Sequence, residues 1–127
     1  MNGRTILVVE DNDMNMQLVE YLLEEGGYAI VKATSGEEAI SITRRGGEGR
    51  PDLILMDIHL PDMDGLSVVR AMKSDARTAR IPILALTAHA MRGDEERARG
   101  AGCDGYLSKP ISPKRVVEEV KRVLKVS

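Results

Sequence analysis

The chain has 127 residues, of which 43% are hydrophobic and 30% charged, a length and composition suited to one globular domain with a single core. A net charge of −2 and an aromatic content of 2% argue against direct nucleic-acid binding, which needs basic or base-stacking surfaces. A lone cysteine, no leader-like start and no apolar stretch near the roughly 20 residues that span a bilayer predict a cytoplasmic protein without membrane attachment.

Short apolar runs alternate with amphipathic helical patterns along the whole chain. Runs this short and apolar are typical of strands buried on both faces of a parallel sheet. The predicted strands are Thr5 to Val9, Tyr28 to Ala33, Asp52 to Met56, Pro82 to Leu86 and Gly105 to Leu107. The predicted helices are Asp13 to Glu25, one that opens at Ser35, Leu66 to Lys73, about Ala90 to Ala101, and Pro113 to Lys125.

The ends of the first two predicted helices carry capping signals. Either Asn12 or Asp13 can serve as the N-cap of the first helix, whose apolar residues recur at helical spacing. These apolar residues are Met14, Leu18, Val19, Leu22 and Leu23. The second helix opens with Ser35-Gly36-Glu37-Glu38, the pattern of a capping box, in which a serine and a glutamate three residues later satisfy free backbone N–H groups.

The fourth predicted helix differs from the others in its composition. It has few large apolar side chains, and the interior Gly100 costs it about 1 kcal/mol relative to alanine. We therefore expect this helix to be weakly anchored and easily displaced. Cys103, just beyond it, is predicted to be a small buried apolar residue.

Five strand–helix units in a chain of this length predict an α/β fold, because parallel neighbours need crossover helices. Right-handed crossovers favour the flavodoxin-like (βα)5 arrangement, a doubly wound three-layer sandwich with a parallel sheet in the order 2-1-3-4-5. In that order the first and third strands are neighbours at the topological switch point. Open α/β folds place their functional sites at this edge.

Acidic residues follow the two strands that this order makes adjacent. Glu10 and Asp11 come directly after the first strand, and Asp57 comes directly after the third. Carboxylates this close repel one another unless a cation neutralises them, and Mg²⁺ suits such a cluster because it accepts carboxylate, water and phosphate oxygens. Thr87 and Lys109, after the fourth and fifth strands, add a hydroxyl and an ammonium that could contact a phosphoryl group.

Four segments of the chain resemble the response-regulator receiver domains of two-component signalling. The resemblance covers essentially the whole chain, in order and in spacing. The segments are Val8-Val9-Glu10-Asp11-Asn12, Leu55-Met56-Asp57-Ile58-His59-Leu60-Pro61, Leu86-Thr87-Ala88 and Tyr106-Leu107-Ser108-Lys109-Pro110. The stretch 87–97 is similar to stand-alone DivK-type cell-division regulators and also to receivers fused to hybrid histidine kinases.

The resemblance implies a role for each residue of the cluster. It implies that Asp57 accepts a phosphoryl group and that Mg²⁺, or Mn²⁺, binds to Asp11, Asp57 and the backbone carbonyl of His59, with Glu10 acting through water. It further implies that Lys109, Thr87 and the amide of Ala88 contact the phosphoryl group. Tyr106 would change rotamer together with Thr87, His59 and His89 would set the dephosphorylation rate, and Lys109-Pro110 would be a cis peptide.

The resemblance also implies the partners and the domain organisation. The phosphoryl group would come from a histidine kinase or a histidine phosphotransfer protein, and a downstream protein would bind the face made by helix 4, strand 5 and helix 5. Residues 1–127 would form a single receiver domain with no output domain. Such a domain is a phosphoacceptor that catalyses only its own phosphorylation and dephosphorylation.

Two other protein classes fit part of the pattern. Asp11-Asn12-Asp13 partly resembles the Asp-x-Asp motif of haloacid-dehalogenase-type phosphatases, in which Asp11 would be the nucleophile, but Asn15 departs from that motif and Asp57 would have no role. A flavodoxin-like cofactor carrier would need the loop after the first strand to hold a phosphate, which Glu10 and Asp11 repel.

Overall fold

The computed structural model describes residues 4–45, 50–60, 62–87 and 93–126. Strands and helices alternate in the order β1 (Thr5–Val9), α1 (Asp13–Glu25), β2 (Ala29–Ala33), α2 (Gly36–Arg45), β3 (Leu53–Asp57), α3 (Gly65–Ser74), β4 (Ile83–Thr87), α4 (Asp94–Ala101), β5 (Gly105–Ser108) and α5 (Pro113–Val126). No helix within these described ranges is both long enough and apolar enough to cross a membrane.

The five strands form one parallel sheet in the order β2-β1-β3-β4-β5. Alternate residues of each central strand enter two hydrophobic clusters, one on each face of the sheet. One cluster contains Val19 of α1 and Val120 of α5, and the other contains Ala39 of α2, Val68 of α3 and Ala98 of α4. The predicted flavodoxin-like three-layer fold and strand order are therefore confirmed.

Helix α1 carries apolar side chains on two stripes, and only one of them faces the core. Its N-cap is Asn12, whose side chain accepts a hydrogen bond from Asn15 N at 2.9 Å. The buried residues are Met16, Val19 and Leu23, whereas Met14 and Leu18 are 80% and 38% exposed. The predicted helix is confirmed, and the structure adds which apolar residues pack, because helical spacing locates a helix without showing which side faces the core.

The start of α2 is held by side chains from two parts of the chain. Ser35 Oγ accepts a hydrogen bond from Glu38 N at 3.1 Å, as the capping-box pattern predicts. The Glu38 carboxylate accepts its hydrogen bond from Thr34 N, at 2.8 Å, one residue before the N-cap position. The Asp62 carboxylate, from the β3–α3 loop, accepts hydrogen bonds from Gly36 N and Glu37 N at 2.9 and 3.1 Å. These bonds lower the pKa of Asp62 and connect the loop after β3 to α2.

Helix α4 is short and begins without a side-chain cap. The residue before it is Gly93, at a φ of 91°, and the predicted start at Ala90 lies outside the described residues. Its buried apolar residues are the two small side chains Ala98 and Ala101. A side chain at Gly100 would meet no atom within 4 Å. The packing of α4 therefore agrees with the predicted weak anchoring.

Cys103 follows α4 and packs in the core, as predicted from the sequence. Burial, together with the negative charge of Asp104, raises the pKa of this thiol to about 11. The thiol is therefore protonated and unreactive at neutral pH.

Candidate functional site

The C-terminal edge of the sheet brings together the five charged or hydroxyl side chains that the strand order predicted. Glu10 and Asp11 follow β1, Asp57 ends β3, Thr87 ends β4 and Lys109 follows β5. These strands are consecutive neighbours in the sheet, so each residue is held by a strand end rather than by a long loop. We refer to this group of five residues as the acidic edge.

Three carboxylates of the acidic edge are close enough to share one cation. One oxygen from each of Glu10, Asp11 and Asp57 lies within 4.8 Å of the others. Glu10 and Asp57 are 1% and 2% exposed, whereas Asp11 faces solvent. A set of hard oxygen donors with one solvent-facing member suits Mg²⁺, which binds through one or two carboxylates and keeps several waters.

Lys109 supplies the positive charge between the two buried carboxylates. Its Nζ lies 2.8 Å from Glu10 Oε1 and 3.1 Å from Asp57 Oδ2. Burial lowers the pKa of Lys109, but the ion pairs with Glu10 and Asp57 outweigh it, so the pKa is raised above its ordinary value. The Lys109 backbone N also donates to the Thr87 carbonyl at 2.7 Å, and the Lys109–Pro110 peptide is cis, as the resemblance implied.

Glu10 is the carboxyl group whose ionisation the fold changes most clearly. Burial raises its pKa to about 7, against the opposing effects of Lys109 and of the hydrogen bond from Asn12 N, and the nearby Asp57 raises it further. The physical cause is loss of hydration, since a buried carboxylate gives up its contacts with water. Glu10 therefore titrates near neutral pH.

Backbone hydrogen bonds fix the loop that follows Asp57, the candidate phosphoacceptor. His59 N donates to Asp57 Oδ1 at 2.9 Å, and Gly65 N donates to the Ile58 carbonyl at 3.0 Å. A Cβ at Gly65 would overlap Ile58 Cα and would lie 2.8 Å from the Asp57 carbonyl oxygen. Glycine is therefore required at position 65 so that α3 can begin this close to β3.

Thr87 and His59 make a contact that sequence reasoning missed. Thr87 is fully buried at the end of β4, and its Oγ1 lies 3.0 Å from Nε2 of the exposed His59 ring. The direction of this hydrogen bond depends on the imidazole tautomer. No sequence signal could have found the contact, because it depends on a rotamer of a residue in a loop.

Of the remaining predicted site residues, Tyr106 is described by the structure, whereas Ala88 and His89 are not. Tyr106 of β5 is half-buried against the core, and its hydroxyl is buried without a hydrogen bond to any described residue. Ala88 and His89 lie outside the described residues. The acidic edge thus contains Glu10, Asp11, Asp57, Thr87 and Lys109, and His59 contacts two of them, Asp57 and Thr87.

The model of the response regulator receiver domain family matches residues 6–121. The chain belongs to this family. Among curated relatives, the polar-differentiation response regulators DivK of Brucella anthropi and Brucella abortus are each 47% identical over 121 residues, which cover 95% of this chain and 96% of theirs. The receiver family and the similarity to DivK expected from the sequence are confirmed.

Solved receiver structures agree with this family assignment. A putative response regulator from Chloroflexus aurantiacus superposes with a TM-score of 0.89 at 33% identity, covering 96% of this chain and 98% of that one. The receiver domain of a sensor histidine kinase from Pseudomonas aeruginosa superposes with a TM-score of 0.87 at 36% identity over 97% and 98% of the two chains. That structure holds a magnesium ion coordinated in its active-site cleft.

Family membership establishes this receiver as a signalling domain of two-component systems. The phosphatase alternative, with Asp11 as nucleophile, finds no support among the relatives or the solved structures. It also leaves no role for Asp57, although this buried carboxylate accepts hydrogen bonds from Lys109 and from a backbone N–H.

Proposed function

We propose that this receiver accepts a phosphoryl group on Asp57 from the phosphohistidine of a histidine kinase or a histidine phosphotransfer protein. The observation that carries the proposal is the environment of the Asp57 carboxylate. One oxygen is held by His59 N at 2.9 Å and the other by Lys109 Nζ at 3.1 Å, within 4.8 Å of two further carboxylates. A buried carboxylate aimed in this way is a nucleophile whose orientation is fixed before the donor arrives.

The transfer replaces one bond to phosphorus by another. A carboxylate oxygen of Asp57 attacks in line, the phosphorus–nitrogen bond of the phosphohistidine breaks, and the donor imidazole keeps the electron pair and takes up a proton. The Lys109 ammonium neutralises the free carboxylate before transfer, and during transfer it stabilises the negative charge on the equatorial phosphoryl oxygens. Water later attacks the phosphorus of the aspartyl phosphate, the bond to the Asp57 oxygen breaks, and inorganic phosphate leaves, which restores the Asp57 carboxylate.

Asp11 and Asp57, with the backbone carbonyl of His59, would hold a Mg²⁺ or Mn²⁺ ion, and Glu10 would contact it through water. The support for one shared ion is that Asp11 is exposed and that one oxygen from each of Glu10, Asp11 and Asp57 lies within 4.8 Å of the others. The bound ion supplies positive charge that offsets the repulsion between the carboxylates and the phosphoryl oxygens.

Thr87 and Tyr106 would convert phosphorylation into a change of shape. The Thr87 hydroxyl and the Ala88 amide would bind the phosphoryl oxygens, so Thr87 would exchange its contact with His59 for one with the phosphate, and Tyr106 would follow. Taking a two-state equilibrium from 1:99 to 99:1 needs about 5.5 kcal/mol. Hydrogen bonds to charged groups contribute about 1.5–3 kcal/mol each, so two of them formed only in the active state would approach that value.

The face of α4, β5 and α5 would present this change to a downstream protein. Its support is the packing of α4, whose buried apolar side chains are both alanines and whose N-terminus lacks a side-chain cap. The exposed side chains of Met14, Leu18 and Tyr21 in α1 would supply an apolar contact for the phosphodonor protein. The proposal includes a cytoplasmic location, no direct binding of nucleic acid, and a single receiver domain over residues 1–127 that catalyses only its own phosphorylation and dephosphorylation.

The identity of the acceptor is tested by labelling with acetyl phosphate in the presence of Mg²⁺. We expect the wild-type chain to become labelled and Asp57→Asn to remain unlabelled, because the amide lacks the nucleophilic oxygen. Asp13→Asn serves as the matched control, since Asp13 lies in the first turn of α1 outside the cluster. Label that persists in Asp57→Asn and disappears in Asp11→Asn would contradict the proposal and favour the phosphatase chemistry.

The moving part is tested by amide hydrogen exchange with and without phosphorylation. We expect the protection of α4 to change, because Thr87 ends the strand before it, whereas the buried strand β1 should keep its protection. Unchanged protection in α4 at full phosphorylation would show that another element transmits the signal.

A further inference from the structure

The N-terminal edge of the sheet carries the opposite charge to the acidic edge. Arg4 directly precedes β1, and Arg50 and Arg80 each precede their strands, β3 and β4, by three positions. Because β3 lies between β1 and β4 in the sheet, the three arginines meet at one place. They line a cleft of about 370 Å³, which we call the arginine cleft, together with Pro51, Asp52, Ile81 and Pro82.

We infer that the arginine cleft is a binding site for a small phosphate compound with at least two negative charges. Its lining carries three guanidinium groups against the single carboxylate of Asp52, in a protein whose net charge is −2. Guanidinium groups present a planar set of donors that matches phosphate oxygens in pairs, which lysine does not. Its volume lies within the range of about 300–1,000 Å³ typical of small-ligand sites.

The lining is built so that most of this positive charge stays available to a ligand. Asp52 Oδ2 accepts a hydrogen bond from Thr5 N at 2.8 Å, so the carboxylate is directed at the start of β1. Arg50 and Arg80 form no ion pair or side-chain hydrogen bond with another residue in the described parts of the chain. Pro51, Ile81 and Pro82 are buried, so the backbone next to Arg50 and Arg80 is anchored in the fold.

The site lies at the opposite end of the strands from Asp57, so a ligand there would not contact the residues of the acidic edge. The acidic edge repels a free phosphate compound when no divalent ion is present, whereas the arginine cleft attracts one. Measuring binding without divalent ions therefore excludes the acidic edge, and substitution of Arg50 and Arg80 distinguishes the cleft from other basic surface.

The test is titration calorimetry of the full chain with inorganic pyrophosphate, without divalent ions and at about 0.15 M salt, where exposed charges are screened beyond about 8 Å. We expect saturable binding that weakens about tenfold in Arg50→Ala and in Arg80→Ala, the change expected for loss of one charged hydrogen bond. Arg70→Ala removes the same charge from the exposed face of α3 and should leave the affinity unchanged. Asp52→Asn keeps an acceptor for Thr5 N and should bind pyrophosphate more tightly.

Three outcomes would overturn the inference. They are an absence of saturable binding, equal losses in Arg70→Ala and Arg80→Ala, and equally tight binding of citrate, which would show a general polyanion surface rather than a phosphate site. Labelling of Asp57 by acetyl phosphate is measured on the same variants. Normal labelling of Arg80→Ala together with loss of pyrophosphate binding would support the phosphate site at the arginine cleft. Failure of labelling in the wild-type chain would count against the proposed function and not against this site.

Discussion

The two ends of the central strands make different use of charge. At the acidic edge, two buried carboxylates share the ammonium of Lys109, so each charge depends on its neighbours. At the arginine cleft, the guanidinium groups stand exposed around an open volume. Losing one partner of a buried pair leaves an uncompensated charge, whereas exposed charges are hydrated and contribute little to folding. Substitutions at the first edge should change stability and chemistry together, and substitutions at the second should change binding alone.

The largest effect is expected from Lys109→Met at the acidic edge. It leaves Glu10 and Asp57 buried without their cation, and removing one partner of a buried pair lowers the free energy of unfolding by about 3–5 kcal/mol. Urea denaturation without divalent ions, well above the Glu10 pKa of about 7, measures the change. Lys114→Met, at an exposed lysine of α5, is the control.

The double variant Lys109→Met/Glu10→Gln keeps this prediction testable if the single variant does not fold. Replacing Glu10 by a neutral amide removes one of the two uncompensated charges, so part of the lost stability should return. A loss in Lys109→Met no greater than in Lys114→Met would break the contrast between the two ends of the sheet.

A smaller, pH-dependent effect is expected from Glu10→Gln. The pKa of Glu10 is raised from 4.5 to about 7 in the folded chain, so the folded state keeps a proton that the unfolded state has released. Without divalent ions, this group therefore makes the wild-type protein less stable as pH rises through that window. Glutamine cannot ionise, so Glu10→Gln should be more stable than wild type above pH 7 by about 1–3 kcal/mol, with little difference near pH 4.

Denaturation curves across this pH range measure the effect, with Glu24→Gln on the exposed side of α1 as the control. The raised pKa of Lys109 acts at higher pH and leaves this window unaffected. Wild-type and Glu10→Gln stabilities that run parallel from pH 4.5 to 7 would show that Glu10 stays ionised throughout.

The smallest effect on stability is expected at the arginine cleft. Arg50→Ala and Arg80→Ala each remove an exposed charge that no described ion pair holds, so the free energy of unfolding should change by no more than about 0.5 kcal/mol. Labelling of Asp57 should also be unchanged. A loss as large as that in Lys109→Met would mean that these arginines hold the start of β3 and β4 in place.

Much of the acidic edge could be predicted because it depends on strand order alone. Once the apolar runs before Glu10 and Asp57 are taken as neighbouring parallel strands, their carboxylates must meet at one edge, and Thr87 and Lys109 must lie beside them. The arginine cleft follows the same rule at the opposite edge. Its signal was present, since Arg4, Arg50 and Arg80 each stand just ahead of an apolar run, but basic residues before strands are easily taken for ordinary solvated surface.

Features that depend on side-chain packing could not be predicted. Helical spacing placed Met14 and Leu18 in α1 but did not show that they face solvent. The contact of His59 with Thr87 and the hydrogen bonds from α2 to Asp62 join loops to distant elements through particular rotamers. Sequence periodicity carries no information about such contacts, because it describes the spacing of residues within one element.

The glycine at position 100 of α4 bears on how much phosphorylation the proposed switch would need. An alanine would fit there without meeting another atom and would favour the helical conformation of α4 by about 1 kcal/mol. Glycine has more backbone freedom than alanine in an unwound segment, so unwinding α4 there brings a larger gain in conformational entropy. In the proposed switch, a stiffer α4 would need more of the phosphoryl contact energy to move. The same degree of phosphorylation would then produce a weaker output, so Gly100 would make the response more sensitive.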